Sequence, residues 1–282
     1  MSVIQVELLA IALAAAIACS LPGVFLLLRG VALMSDAISH AILLGIVGMF
    51  LLVQQLHSHW LLWGAAAAGM ATVWCTEQLI QTGQLKKETS IGLVFPLFFS
   101  IGVILISLYA RNVHLDSDMV LLGDIAFSPF HRLQIGEYDM GPYALWQLGV
   151  VVFLNLSLIT LFFKELRMVT FDPEYAQVSG FSPIRMHYLI MFLTSITAVA
   201  AFDIVGSIVV VALMITPAAT AFLLTKQLRN MIALSLLFAG LAALLGCVFA
   251  FVCDVSIAGS IAMVAGFIFT GVFGITLSRR IA

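Results

Sequence analysis

Charge is what this sequence has least of. Only 9% of its 282 residues are Asp, Glu, Lys or Arg, against a hydrophobic share of 63% and a mean hydropathy of +1.17. Soluble domains carry about 25% charged residues, so a water-facing globule cannot hide this much apolar surface and the solvent must be lipid. The net charge of −2 comes with no basic patch, which argues against nucleic acid as a partner. Cysteine is scarce as well. Cys19, Cys75, Cys247 and Cys253 show neither C-x-x-C nor zinc-finger spacing and read as small buried apolar residues. No G-x-x-x-x-G-K-[ST] stretch occurs, so the chain has no phosphate-binding loop for ATP. No Lys or Arg precedes the first long apolar run, which argues against a cleaved signal peptide.

What the chain has is apolar runs long enough to cross a bilayer, about 20 residues each. They fall at 5–28, 32–54, 60–79, 91–110, 143–163, 187–203, 205–224, 231–252 and 257–277. The sixth and seventh follow one another around "AFDIVGS" without a polar loop, so eight and nine crossings both fit. The expectation is an all-α polytopic membrane protein, one transmembrane domain over residues 1–282. Threading nine spans puts Arg29, Lys86–Lys87, Lys164, Arg167, Arg185, Lys226, Arg229 and Arg279–Arg280 on one side, the cytoplasmic one. The N-terminus, the 55–59 turn, the 111–142 loop and Asp254 then lie outside. Arg111 and Arg132 break that rule inside a loop that Asp116, Asp118, Asp124, Glu137 and Asp139 make acidic.

Several polar residues sit where lipid makes them expensive. In "ALMSDAISHAILLG", Asp36 and His40 share one helix face at i, i+4 spacing, with Cβ atoms about 5–6 Å apart. An intramembrane aspartate costs about 2.5–3.5 kcal/mol. Two readings offset that cost: a hydrogen-bonded pair that holds helices together, or a site for a divalent cation or proton. Ser39 adds a hydroxyl nearby. Asp203, near the outer end of a span, either reaches interfacial water or belongs to a pathway or gate. His114, Asp116 and Asp118 alternate in the outer loop, as a solvated loop or as an acidic vestibule that concentrates cations. His57 and His59 read as turn residues. Pro217 must kink or break its span. On the cytoplasmic side, "FDPEYAQVSG" predicts a short helix: Asp172 caps it, Pro173 and Glu174 fill its first turn, and Gly180 ends it. It is either a plain interfacial helix or a docking element.

These residues resemble the permease subunits of bacterial ABC importers for manganese, zinc and iron. "LRGVALMSDAISHAILLG" at 28–45 is similar to the family's second-span motif, and Phe171 to Gly180 is similar to its coupling helix, with a Glu-x-Ala-x-x-x-Gly core at Glu174, Ala176 and Gly180. "TSIGLVFPLFFSIGVILIS" at 89–107 and "VGSIVVVALMITPAATAFLL" at 205–224 resemble two more segments. The resemblance implies that Asp36 and His40 bind the transported ion and that 171–180 inserts into a cytoplasmic ABC ATPase dimer. It also implies a second permease chain, identical or a paired paralogue, and an extracytoplasmic metal-binding protein. No permanently bound cofactor is expected, and the location is the bacterial inner membrane. The outer loop looks most like the manganese and iron branch, whereas Ser35, Leu44 and Asp203 depart from the common pattern. Aspartate with imidazole suits manganese, iron(II) and zinc alike.

Other classes fit less well. A proton-coupled secondary transporter would use the same pair without an ATPase. An intramembrane aspartyl protease wants Gly-x-Gly-Asp in a span, and "LLGD" at 121–124 lacks the first glycine and falls in a loop.

Overall fold

A computed structural model describes residues 3–54, 60–109, 125–135 and 138–281. The candidates His57, His59, His114, Asp116 and Asp118 lie outside these. The described chain is α-helical apart from one small hairpin. Its long helices are α1 (Val3–Leu28), α2 (Met34–Val53), α3 (Trp60–Gln81), α4 (Lys87–Tyr109), α5 (Tyr143–Leu161), α8 (Pro183–Val205), α9 (Ser207–Leu224), α10 (Leu228–Cys253) and α11 (Ile257–Ile281). Two short helices, α6 (Phe163–Phe171) and α7 (Pro173–Val178), sit between α5 and α8. Eight of the long helices are apolar enough to cross a membrane. The remaining one, α3, is long enough at 22 residues but its mean hydropathy is lowered by three tryptophans and by the polar Thr76, Glu77, Gln78 and Gln81 near its end.

The ends of these helices alternate between two rims. At one rim Arg132 bonds both Glu7 at the start of α1 and Asp139, and Gln5, Ile125, Asp254 and Ser256 line a common groove. At the other, Lys87 Nζ donates to the Arg29 carbonyl at 3.2 Å, and the Arg229 guanidinium lies 5.5 Å from the Phe163 ring centre. The junction at Gly206 separates the sixth and seventh apolar runs, which the sequence left open. Its φ of +81° and ψ of 163° suit glycine almost alone, so α8 stops there and α9 starts afresh.

α1 and α8 are the most deeply buried helices. α1 packs on α5, α8, α9 and α10; α2, α3 and α4 form a second group, joined to the first mainly through α8. Small residues set the closest crossings, as expected where lipid gives no hydrophobic drive between helices. A Cβ on Gly23 would stand 2.0 Å from the Met214 carbonyl of α9. Gly45 and Gly64 meet in the same way across α2 and α3, at 2.2 Å and 2.6 Å.

The prolines show how backbone is repaired in a dry interior. Pro22 lacks an N–H, so the Ala18 carbonyl four residues earlier loses its helix donor. Asn155 of α5 supplies one: its Nδ2 donates to the Ala18 carbonyl at 3.1 Å and to Thr197 Oγ1 of α8 at 2.8 Å. One buried amide thus joins three helices.

The described residues between α4 and α5 are not only loop. Residues 125–130 form a 3₁₀ turn, and β1 (Arg132–Ile135) pairs antiparallel with β2 (Tyr138–Pro142) across a bulge. Strands of four and five residues are too short to give a readable alternation. Arg132, the cation on the wrong side by the charge rule, is neutralised there: its Nη1 lies 2.6 Å from Asp139 Oδ2 and its Nη2 bonds Glu7.

Replacing Asn155 by leucine should lower the thermal midpoint of the detergent-solubilised protein, at a cost of about 1–2 kcal/mol. Thr197→Val, which leaves the Ala18 carbonyl bonded, should cost less. Equal losses would show that repair of the proline break is not what Asn155 contributes.

Candidate metal site and rim helix

α2 starts without a side-chain cap, at Met34 just past the Arg29–Leu33 turn. Asp36 and His40 therefore lie in its first two turns, near the rim that carries Arg29. Their side chains meet, with Asp36 Oδ1 3.4 Å from His40 Nε2. Their neighbours Ala37, Ile38, Ser39, Ala41 and Ile42 are buried. The pair is not: 39% of the Asp36 side chain and 29% of the His40 side chain remain accessible. The two polar groups therefore line the open side of α2, and a second body can reach them. Had they faced the core, they would serve only to hold this chain's own helices together.

α4 completes the surroundings. Gly102 lets it approach α2, where a Cβ would come within 3.1 Å of the Leu44 nitrogen. Phe95 and Phe99 then stand 5.5 Å and 5.6 Å from the His40 ring, the second edge-on. These rings restrict how the imidazole can turn. Between them Pro96 takes the helix donor from the Gly92 carbonyl, on an exposed stretch of α4. Ser39 does not join the pair; it is buried, and its hydroxyl donates back to the Ser35 carbonyl at 2.9 Å. Asp203 lies exposed at the far end of α8, three residues before Gly206 and so at the opposite rim from Asp36. The structure does not bring it to the pair. Among the described residues no three His, Cys, Asp or Glu side chains converge as a metal cage. Two ligands alone bind a divalent ion weakly, because such ions take four to six or more.

The rim helix forms as its sequence predicts. Asp172 Oδ1 accepts from the Tyr175 N–H at 2.9 Å, and Pro173 occupies the first helical position. At the other end Gly180 adopts φ +87°, the Phe181 N–H bonds the Ala176 carbonyl and the Gly180 N–H bonds the Gln177 carbonyl. That is a Schellman stop. Ala176 is buried, whereas Phe171, Tyr175 and Val178 expose 55%, 60% and 88% of their surface beside the exposed Glu174. Large apolar side chains displayed in this way suit contact with lipid or with another protein. Four residues further on, Ser182 caps α8, so only a short link separates α7 from a helix long enough to cross a membrane.

Helices that alternate between two rims, a half-open acid–imidazole pair and a capped short helix on one rim together define a polytopic α-helical membrane protein of the permease type. Residues 2–275 match the model of the ABC 3 transport family, and the chain belongs to that family. It is 43% identical over 257 residues to the manganese transport system membrane protein MntD of Bacillus subtilis, covering 91% of this chain and 87% of that one. It is 48% identical over 267 residues to the zinc transport system membrane protein TroD of Treponema pallidum, covering 95% and 72%. The structure of PsaBC from Streptococcus pneumoniae in complex with Fab shares the fold, with a TM-score of 0.79 and 30% identity over 97% of this chain and 92% of that one.

Asp172→Ala should remove the helix cap at a cost of about 1 kcal/mol. Amide hydrogen exchange at Tyr175 should quicken about fivefold, while exchange in α8 beyond Ser182 stays unchanged.

Proposed function

We propose that this chain is the membrane-spanning permease subunit of an ATP-driven importer that carries a divalent transition-metal ion across the inner membrane by alternating access. The observation that carries the reading is the Asp36–His40 pair, left half-open on a membrane helix of a family member whose rim helix displays an apolar docking face. The chain itself is a transport subunit and not an enzyme. Relatives named for manganese, zinc and chelated iron transport support the cargo class. Manganese and iron are favoured over zinc by the outer loop. Raw affinity of an aspartate–imidazole pair runs the other way, towards zinc.

The mechanism follows from the incompleteness of the site. One chain offers two ligands on an open face, so a second permease chain, a copy or a paralogue, brings the rest. An ion held by few ligands is bound in passing and released, as translocation requires. An extracytoplasmic metal-binding protein hands the ion over outside, where the hairpin and the acidic 111–142 loop lie. His114, Asp116, Asp118 and Asp203 belong to that approach and not to the central pair. A cytoplasmic ATPase dimer seats Phe171, Asp172, Pro173, Glu174, Ala176 and Gly180, and the stroke reaches α8 through Ser182. In this arrangement the N-terminus lies outside, the C-terminus inside, and residues 1–282 act as one domain. A proton-coupled carrier would have no use for an apolar docking helix on the rim.

Asp36→Ala and His40→Ala should each bring metal uptake to background in reconstituted vesicles while the permease still assembles with its ATPase. Normal uptake in both variants would remove the site. Glu174→Arg should abolish co-purification of the ATPase without changing membrane insertion. Continued co-purification with normal transport would refute the docking assignment.

A further inference from the structure

The rim that carries α7 also gathers four ionisable side chains from four separate segments. They are Arg29 in the turn between α1 and α2, Glu77 in α3, Lys87 at the start of α4, and His187 in α8. His187 Nε2 lies 3.4 Å from Glu77 Oε2. Lys87 Nζ holds the Arg29 carbonyl at 3.2 Å, and both cations lie close enough to His187 to bear on its charge. Two members of the cluster are poorly served. Glu77 has only long contacts, to His187 and, at 3.5 Å, to Gln81 Nε2, where a charge-assisted bond spans about 2.7–2.9 Å. Arg29 has its Nε and Nη2 buried without a hydrogen-bond partner. Those two N–H groups form the side-on edge of a guanidinium, which receives both oxygens of one carboxylate. Burial pulls the Arg29 pKa down to about 10, so it is still a cation at neutral pH.

An under-coordinated carboxylate and an unpaired guanidinium edge gathered on one rim form an arrangement that a second, better-bonded state would satisfy. The positions of the four groups say what that state would transmit. His187 is the fifth residue of α8, which starts just beyond α7. Arg29 opens the turn that ends at Leu33, three residues before Asp36. Lys87 ties that turn to α4, whose Phe95 and Phe99 brace His40. We propose that Glu77 is a shared carboxylate that exchanges partners, pairing with His187 in this conformation and with the side-on edge of Arg29 in the other, so that movement of α7 and α8 is passed to the start of α2. Arg29, Glu77 and His187 are then positioning residues for the transport cycle, and none of them touches the ion. The proposal rests on the importer reading above.

The test uses the full complex with its ATPase in proteoliposomes, reading manganese uptake and ATP hydrolysis together. Arg29→Glu and Glu77→Arg should each cut uptake per ATP at least about tenfold, and the double charge swap should recover at least about a third of it. A Glu77 that served only His187 would gain nothing from the swap, because an arginine at position 77 has no acceptor for the imidazole N–H. A double variant no better than Glu77→Arg overturns the proposal. Should the reversed charges prevent folding, spin labels at Leu33→Cys and Gln78→Cys, with Cys75 and Cys253 replaced by alanine, report the same event with the native charges in place. The distance between α2 and α3 ends should change between nucleotide-free and ATP-trapped complexes, and Glu77→Gln should abolish that change while ATP is still hydrolysed. A change that persists in Glu77→Gln overturns the exchange. A wild-type complex that hydrolyses ATP but carries neither manganese, iron(II) nor zinc would refute the importer reading instead, and the spin-label distance would still judge the exchange by itself.

Discussion

A lipid interior offers no water to a stray amide or carbonyl, so each backbone polar group that crosses it must be satisfied by the protein. Helices do this by themselves, and the fold is accordingly a bundle of long helices running between two rims. The informative places are those where a helix cannot. At Pro22 the lost donor is replaced from another helix by Asn155, which ties α1 to α5 and α8 at the centre of the bundle. The buried hydroxyls of Ser39, Thr72 and Thr194 turn back on their own helices and so need no neighbour. Close crossings then depend on glycines, because once polar groups are satisfied internally only contact between backbones is left to hold helices together in lipid.

Against this background Asp36 and His40 are the polar groups that the chain does not absorb. Their neighbours on α2 are buried, yet the pair stays half-open, braced by Phe95 and Phe99 and close to the rim. The same rim carries the capped helix α7, the start of α8 and the cluster around Arg29. The acid–imidazole pair and the rim helix therefore lie at one end of the bundle, with only a few residues between α7 and the long helix α8. A short, stiff connection of this kind can transmit a displacement that a long loop would lose.

Much of this was legible because it is local. Asp36 and His40 share a face by i, i+4 spacing alone, and Asp172, Pro173 and Gly180 follow capping rules that act within one or two turns. The long apolar runs placed every span to within four residues, the largest shifts being the starts of α4 at Lys87 instead of 91 and of α8 at Pro183 instead of 187 and the end of α11 at Ile281 instead of 277. What escaped was nonlocal or too short to show a period: the hairpin at Arg132–Pro142, the helix at Phe163–Phe171, and the groups Arg29, Glu77, Asn155 and His187. Asn155 carried a usable signal, since an amide inside an apolar run is itself an anomaly. Glu77 and His187 did not, because each sits at the end of a span, where charge is ordinary.

The sequence by itself determined the solvent, the number of long helices to within one, the acid–imidazole pair and the rim helix. Composition, periodicity and caps are properties of neighbouring residues and survive without any partner. Only the tertiary structure decided that α8 and α9 are separate at Gly206, that Asp36 and His40 face outwards, that Ser39 and Asp203 stand apart from them, and that Glu77 meets His187. Those outcomes depend on which helix lies against which, and that is settled by glycine contacts and repaired carbonyls between residues far apart in the chain.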